Sequence, residues 1–156
     1  MIKLEIPGKG LYVIENVILD FNGTIAKDGR INNKVKDRIS LLGKKAKVYI
    51  LTADTRGDVE EKIKKLPVQV VRLESGNEAI QKLNFLKQIG PEKTIAVGNG
   101  YNDHLMLKEA LLGIAVIGPE GASKEAILNA DVVVADPLSA LDFILKPLRH
   151  KATLRR

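Results

Sequence analysis

The sequence predicts an α/β fold in which a mainly parallel β-sheet carries helices on both faces. Short apolar runs alternate along the chain with segments whose apolar residues recur every three or four positions. The runs are continuous rather than interrupted by polar residues, as expected of strands that are buried on both faces. Regular alternation of strands and helices is typical of a doubly wound sheet.

Six apolar runs are predicted to form the strands of this sheet, and six amphipathic segments its helices. The strands are expected at 17–19, 48–51, 68–71, 95–97, 114–117 and 132–134. The helices are expected at 32–42, 56–65, 76–89, 102–111, 122–129 and 138–146. In residues 1–15, two segments that contain alternating apolar residues flank Pro7-Gly8-Lys9-Gly10, which predicts an N-terminal β-hairpin.

The composition fits one globular domain, residues 1–156, and a cytoplasmic location. The chain is 45% hydrophobic and 28% charged, which suits a packed core. It has no cysteine, which excludes disulfides and thiolate metal sites, and no apolar run approaches the roughly 18 residues that span a membrane. The net charge of +6 lies partly in a basic C-terminal tail, 147–156. We expect this tail to be a solvated, frayed terminus rather than a nucleic-acid site, because no aromatic platform accompanies it.

Chemically useful side chains follow three of the predicted strands. Asp20 follows the first strand of the sheet, Thr52 the second and the segment GNGYND (98–103) the fourth, while Lys82 lies on the preceding helix. The carboxyl ends of parallel strands meet at one edge of the sheet, so we expect these residues to lie together. A carboxylate can attack phosphorus, a hydroxyl and a lysine can hold phosphoryl oxygens, and Asp20 and Asp103 can share Mg²⁺.

These segments resemble the four motifs of the haloacid dehalogenase (HAD) superfamily. They occur in the family's order as DFNGT (20–24), LTAD (51–54), Lys82 and GNGYND (98–103). The amino-acid sequence of residues 82–126 most resembles the phosphorylation domain of P-type ATPases. The resemblance implies a Rossmann-like HAD fold and a Mg²⁺-dependent phosphohydrolase or phosphotransferase that works through an aspartyl phosphate.

The resemblance also implies a role for each matching residue. Asp20 would be the nucleophile, Thr52 would bind the transferring phosphoryl group, and Lys82 would bridge Asp20 and the phosphate. The catalytic residues would be Asp20, Asn22, Thr52 and Lys82. The phosphate-binding residues would be Gly23, Thr24, Thr52, Ala53 and Lys82. The Mg²⁺ ligands would be Asp20, the backbone carbonyl of Asn22, Asn99, and Asp103 directly or through water.

Two amides depart from the family pattern. HAD phosphatases usually carry an acid two residues after the nucleophile, where this chain has Asn22. An amide cannot exchange a proton near neutral pH, so we expect slow dephosphorylation. At Asn99 the pattern has Asp, and an uncharged oxygen ligand predicts weaker Mg²⁺ binding. The same amides favour the alternative function, a catalytically weak regulatory or binding protein that retains the fold.

No cap domain is expected, because the segment between Asp20 and Thr52 is short and no domain-sized insertion follows Thr52. An uncapped site is open to a small phosphorylated substrate. Capless members of the family often cover the site by forming homo-oligomers, and the N-terminal hairpin offers a strand edge for this purpose. We expect neither a membrane nor a nucleic acid as a partner.

Each assignment also has a purely structural alternative. Thr52 or Asp54 could cap the following helix, and Asp54 could instead orient Lys82. Lys82 could be an ordinary surface lysine. Asn102 or Asp103 could cap a helix that begins after the fourth core strand. The sequence leaves these alternatives open.

Overall fold

The structure, a computed structural model, describes residues 1–54 and 57–156. Within these residues the main sheet contains six parallel strands in the order β5-β4-β3-β6-β7-β8, and β1 and β2 form a separate antiparallel hairpin. The strands are β1 (Ile2–Ile6), β2 (Gly10–Ile14), β3 (Asn16–Asp20), β4 (Lys47–Thr52), β5 (Val68–Arg72), β6 (Thr94–Gly98), β7 (Leu112–Val116) and β8 (Val132–Val134). The helices are α1 (Asn33–Gly43), α2 (Asp58–Ile63), α3 (Glu78–Ile89), α4 (His104–Glu109), α5 (Lys124–Asn129), α6 (Pro137–Leu145) and α7 (Pro147–Leu154), with 3₁₀ turns at Pro91–Lys93 and Tyr101–Asp103. No helix in the described part of the chain is long and apolar enough to cross a membrane.

Both faces of the sheet are covered, which confirms the doubly wound α/β prediction. Along β3, Val17 and Leu19 belong to the core that includes residues of α1, α2, α6 and the hairpin. Ile18 points to the opposite face, where α3, α4 and α5 supply the core residues. Because consecutive side chains of a strand point to opposite faces, a strand covered on both sides needs an unbroken apolar run.

The strand order reverses at β3. From β3 the chain continues outward to β4 and β5, then crosses back to β6 on the other side of β3 and continues to β7 and β8. Neighbouring connections therefore leave the carboxyl ends of β3 and β6 in opposite directions, which opens a crevice there. Asp20 ends β3 and Gly98 ends β6.

The element that follows β6 differs from its prediction. Instead of one helix over 102–111, a 3₁₀ turn at Tyr101–Asp103 precedes α4. The Asp103 carboxylate accepts hydrogen bonds from the backbone N–H groups of Asn99 and Gly100, which fixes a tight turn there. The predicted helix 56–65 is shorter, at Asp58–Ile63, and residue 56 of that prediction lies outside the described residues.

The loop after β3 is compact and carries no cap domain in the part of the chain that the structure describes. The backbone carbonyl of Phe21 accepts hydrogen bonds from the N–H groups of Thr24, Ile25 and Ala26. Lys27 and Arg30 then exchange backbone hydrogen bonds at 2.9 Å before α1 begins. The site at the end of β3 is consequently open on its outer side.

The expectation of a frayed C-terminal tail is wrong. Residues Pro147–Leu154 form α7, which packs against β1, and the backbone N–H of Arg156 donates to the carbonyl of Pro7 at 2.9 Å. Pro147 suits the first helical position, and the side chain of His150 is buried. The apolar surface of the hairpin needs a cover, and the tail provides part of it.

We predict that His150 makes stability depend on pH. Burial, and secondarily the charge of Lys151, lower the pKa of His150, and no described residue forms a hydrogen bond with its Nε2 atom. Below the ordinary histidine pKa of about 6.5 the unfolded chain binds a proton at this position more readily than the folded chain, so His150 should lower the free energy of unfolding as pH decreases from 7 to 5. Asp20, whose pKa is raised to about 7 by burial and by the charge of Asp103, contributes with the opposite sign over the same range. Urea unfolding at both pH values should therefore show a more favourable change in the free energy of unfolding from pH 7 to pH 5 for His150→Leu than for the natural chain.

The chain contains one other histidine, His104, which provides the matched control. His104→Leu should retain the pH dependence of the natural chain. An equal change in stability between pH 7 and pH 5 for His150→Leu and the natural chain would contradict the role of His150.

Candidate active site

Lys82 connects Asp20 to the loop that follows β6. Its Nζ donates to Asp20 Oδ1 at 2.9 Å, to Asp103 Oδ1 at 2.7 Å and to Asn102 Oδ1 at 3.0 Å. An ammonium group has three N–H donors, and each one has an acceptor here. The side chain is 2% exposed, which rules out an ordinary surface lysine.

The two carboxylates that would share a cation lie close together. Asp20 Oδ1 and Asp103 Oδ1 bind the same ammonium at 2.9 and 2.7 Å, so they are at most about 5.6 Å apart, the sum of these distances. Asp103 is fully buried, and its other oxygen accepts the N–H groups of Asn99 and Gly100, each at 3.0 Å. Asp103 therefore caps the turn, as the structural alternative proposed, and also pairs with Lys82.

Gly23 and Thr24 lie beside Asp20 and Asn99, and neither lines the cleft that Asp20 borders. The Thr24 hydroxyl lies 3.1 Å from Asp20 Oδ2 and 3.1 Å from Asn99 Oδ1, and the Thr24 side chain is fully buried. Gly23 has φ +76°, and a Cβ atom there would overlap the Asn99 amide. The loop after β3 can approach Asn99 this closely only with glycine at position 23.

The loop after β7 holds Asn99, a contact that the sequence analysis did not predict. The Asn99 side-chain amide donates to the carbonyl of Gly121 at 3.1 Å. The N–H of Ser123 donates to the backbone carbonyl of Asn99 at 2.8 Å. No motif in the sequence pointed to residues 121–123, because their contribution is made by backbone atoms.

The side chains at the carboxyl ends of the strands surround a cleft of about 400 Å³. Its walls contain six of the predicted site residues, Asp20, Asn22, Thr52, Ala53, Lys82 and Asn99. Asp54, Glu78, Gly100 and Asn102 also line it, although the prediction did not assign them to the site. Glu78 could have been found from the sequence, since it lies one helical turn before Lys82 and shares its face of α3.

The structure identifies a role for Asp54 at the end of β4. Its N–H donates to the Thr52 hydroxyl oxygen at 3.1 Å, and its Oδ2 accepts the N–H of Val59 in the first turn of α2 at 3.4 Å. Asp54 thus caps α2. The three N–H groups of Lys82 are directed to other residues, so Lys82 is oriented by Asp20, Asn102 and Asp103.

The electrostatic environment of Asp20 combines burial with opposing charges. Burial, followed by the negative charge of Asp103, raises the pKa of Asp20 to about 7, although Lys82 and Thr24 act in the opposite direction. Burial alone would lower the pKa of Lys82, but the carboxylates of Asp20 and Asp103 outweigh it and raise that pKa. Lys82 is therefore charged at neutral pH, and any cation beside Asp20 would favour its ionised form.

The oxygen atoms on the cleft wall are of the chemical type that binds Mg²⁺. Among the described residues, no group of three or more His, Cys, Asp or Glu side chains is arranged to hold a metal ion. The cleft instead offers the Asp20 carboxylate together with Asn22 and Asn99. These are the hard oxygen donors that Mg²⁺ prefers, but only one of them carries charge.

We predict that removing the Lys82 charge destabilises the fold. Lys82→Met would leave the buried carboxylates of Asp20 and Asp103 without their cation, which should lower the free energy of unfolding at pH 7 by about 3–5 kcal/mol. Urea unfolding measures this change. Lys87→Met, on the exposed side of the same helix, is the control and should have little effect; equal stability of the two variants would contradict the ion-pair role.

Parts of the chain are similar in sequence to known proteins. A family model of haloacid dehalogenase-like hydrolases matches residues 75–137, the segment from α3 to the start of α6. The uncharacterized protein MJ0073 of Methanocaldococcus jannaschii is 49% identical over 92 residues, which make up 56% of this chain and 99% of that protein. The more specific likeness to the P-type ATPase phosphorylation domain stays a prediction.

Solved structures of phosphatases have the same fold. The 3-deoxy-D-manno-octulosonate 8-phosphate phosphatase from Moraxella catarrhalis, in complex with magnesium, phosphate and KDO, has a TM-score of 0.71 at 14% identity, over 86% of this chain and 87% of that chain. The cobalt-bound deoxy-D-mannose-octulosonate 8-phosphate phosphatase from Haemophilus influenzae has a TM-score of 0.69 at 17% identity, over 89% and 91% of the two chains. On the matched family model, this fold and the four ordered motifs, the chain belongs to the haloacid dehalogenase-like hydrolases.

Proposed function

We propose that the protein is a Mg²⁺-dependent phosphohydrolase that acts through an aspartyl phosphate on Asp20. One observation carries the proposal: the Asp20 carboxylate ends β3 inside an open cleft, held by Lys82 Nζ at 2.9 Å and by the Thr24 hydroxyl at 3.1 Å. A carboxylate oriented in this way can attack a phosphoryl group that is bound in the cleft.

The first step transfers the phosphoryl group to the enzyme. An oxygen of Asp20 attacks phosphorus, and the bond between phosphorus and the leaving oxygen breaks. The leaving oxygen keeps the bonding electron pair and takes a proton from water, because the Asn22 amide has no acidic proton to donate. Substrates with a stable leaving group, such as acyl phosphates and aryl phosphates, should consequently react fastest.

Side chains around Asp20 would hold the phosphoryl oxygens. Thr52 lines the cleft, and its hydroxyl oxygen accepts the N–H of Asp54, which fixes the hydroxyl's position. The hydroxyl proton of Thr52 and the backbone N–H of Ala53 are then the donors for the phosphoryl group. Lys82 supplies positive charge beside the reacting carboxylate.

Magnesium, when bound, would reduce the negative charge that the phosphoryl group brings to Asp20. Asp20, Asn99 and the backbone carbonyl of Asn22 would hold the ion. Asp103 would act on this site indirectly, since both of its oxygens already accept N–H groups. The magnesium ion in the Moraxella catarrhalis structure and the cobalt ion in the Haemophilus influenzae structure support a divalent ion as the cofactor.

The second step hydrolyses the aspartyl phosphate. A water oxygen attacks phosphorus and loses a proton to bulk water, the bond from phosphorus to the Asp20 oxygen breaks, and inorganic phosphate leaves with the carboxylate restored. No carboxylate stands at position 22 to take the water's proton, so this step should limit turnover. Assembly into a homo-oligomer through the hairpin and a cytoplasmic location belong to the same proposal.

The direct test of this function is phosphate release from acetyl phosphate in the presence of Mg²⁺. We expect Asp20→Asn to lower turnover by about 10³-fold or more, because the variant lacks the nucleophile. Chelating the metal should have a similar effect on the natural chain. Asp37→Asn, an exposed position on α1, is the control and should behave like the natural chain. Equal, negligible turnover with and without Asp20, while a phosphate analogue still binds, would support the alternative of a binding protein.

A second prediction concerns the missing acid. Asn22→Asp should accelerate dephosphorylation by about 10²-fold or more, because a carboxylate at this place can accept the proton of the attacking water. The measurement is the decay of phosphorylated protein after acetyl phosphate is removed. Asn33→Asp, an exposed substitution at the start of α1, should leave the decay rate unchanged. An unchanged decay rate in Asn22→Asp would contradict this explanation of slow turnover.

A further inference from the structure

A groove beside the catalytic cleft has no part in the steps described above. Its volume is about 480 Å³, and it lies between the first turn of α3 and the turn that leads into α4. The side chains that matter here are Glu78 and Ile80 on one wall and Tyr101, Asn102 and His104 on the other.

The groove is continuous with the cleft. Glu78 and Asn102 line both of them. Asn102 Oδ1 also accepts a hydrogen bond from Lys82 Nζ at 3.0 Å, and Glu78 precedes Lys82 by one turn on the same face of α3. The groove therefore begins next to the lysine that holds the nucleophile, where a substrate bound at Asp20 would extend the rest of its molecule.

Apolar surface is exposed on both walls of the groove. Ile80 is 52% exposed and Tyr101 is 61% exposed. The Tyr101 ring packs against His104, with ring centroids 4.5 Å apart and a tilt of 40°. A single exposed apolar side chain needs no explanation, but two from different elements that flank one groove provide a surface for a flat ring.

The charges around the groove favour some ligands over others. Glu78 places a carboxylate where the groove joins the cleft. Among the described residues that line either space, Lys82 is the only lysine or arginine, and its three N–H groups are directed to Asp20, Asn102 and Asp103. An amine or hydroxyl group in the groove would find an acceptor, whereas a carboxylate or a second phosphate would meet Glu78, and no described residue that lines the groove carries a lysine or arginine charge to pair with it.

We propose that this groove binds the leaving group of the substrate and selects a flat, ring-bearing leaving group that is neutral or positively charged. The proposal rests on the proposed function, because phosphoryl binding at Asp20 is what directs the leaving group into the groove. It also separates this chain from the octulosonate phosphatases that share its fold, since an octulosonate carries a carboxylate.

The test compares three aryl phosphates whose phenols have similar basicity and differ in charge. They are 4-methylphenyl phosphate, tyramine O-phosphate and 3-(4-hydroxyphenyl)propionate O-phosphate, with acetyl phosphate as a substrate too small to fill the groove. We expect kcat/KM to be highest for the amine and lowest for the carboxylate, a range of about tenfold. Glu78→Gln should reduce this range to about twofold.

Binding of the leaving group's ring is tested by substitutions on the two walls of the groove. Tyr101→Ala should lower kcat/KM for the aryl phosphates about tenfold relative to acetyl phosphate, and Ile80→Ala should act in the same direction. Leu148→Ala on α7 and Glu92→Gln in the turn before β6 are matched controls for an exposed apolar side chain and a carboxylate. Both controls should retain the substrate ratios of the natural chain.

The outcomes separate the inference from the function that it rests on. Unchanged substrate ratios in Glu78→Gln, Tyr101→Ala and Ile80→Ala would overturn the role of the groove, while Asp20-dependent hydrolysis of acetyl phosphate would still support the phosphohydrolase. Absence of Asp20-dependent turnover with all four substrates would overturn both.

Discussion

The site depends on one buried ammonium group. Lys82, reaching from α3, donates its three hydrogen bonds to Asp20 on β3 and to Asn102 and Asp103 in the loop after β6. These elements belong to different parts of the sequence and are brought together only at the point where the strand order reverses. Two carboxylates in an apolar interior would repel each other and lose their hydration, so the shared cation is what allows them to lie side by side.

The surrounding backbone and side chains hold these charged groups in place through further hydrogen bonds. Asp103 uses one oxygen for Lys82 and the other for two backbone N–H groups, so it connects the charge cluster to the turn. Thr24 is directed at Asp20 and Asn99 from the opposite side, and Gly23 permits the close approach that this contact needs. The nucleophile is thus held by neighbours on both sides, with only its cleft-facing surface available to a substrate. Such preorganisation reduces the reorientation that the carboxylate needs before it reacts.

The same arrangement explains why two amides are compatible with the fold but change the chemistry. The side-chain oxygen of Asn99 lies 3.1 Å from the Thr24 hydroxyl, and its side-chain nitrogen donates to the carbonyl of Gly121, a hydrogen bond that a carboxylate could not donate. Asn22 lines the cleft but has no acid–base function at neutral pH. In the function that we propose, such a site would favour formation of an acyl phosphate over its hydrolysis. The described residues contain no cap, so the proposed selection of leaving groups would fall to the surfaces beside the cleft.

The sequence by itself determined the α/β class, the six core strands, the hairpin and the fact that Asp20, Lys82 and Asp103 lie together at the ends of the strands. It could do so because burial on both faces imposes continuous apolar runs and because a phosphoryl site places its polar residues directly after strands. The tertiary structure alone decided how these side chains are arranged: that Asp103 accepts hydrogen bonds from both the turn and Lys82, that Asp54 accepts an N–H group in the first turn of α2, and that Glu78 and Tyr101 border one groove. It also decided that residues 147–154 form a helix over the hairpin, since a short basic segment acquires order only from the apolar surface it packs against.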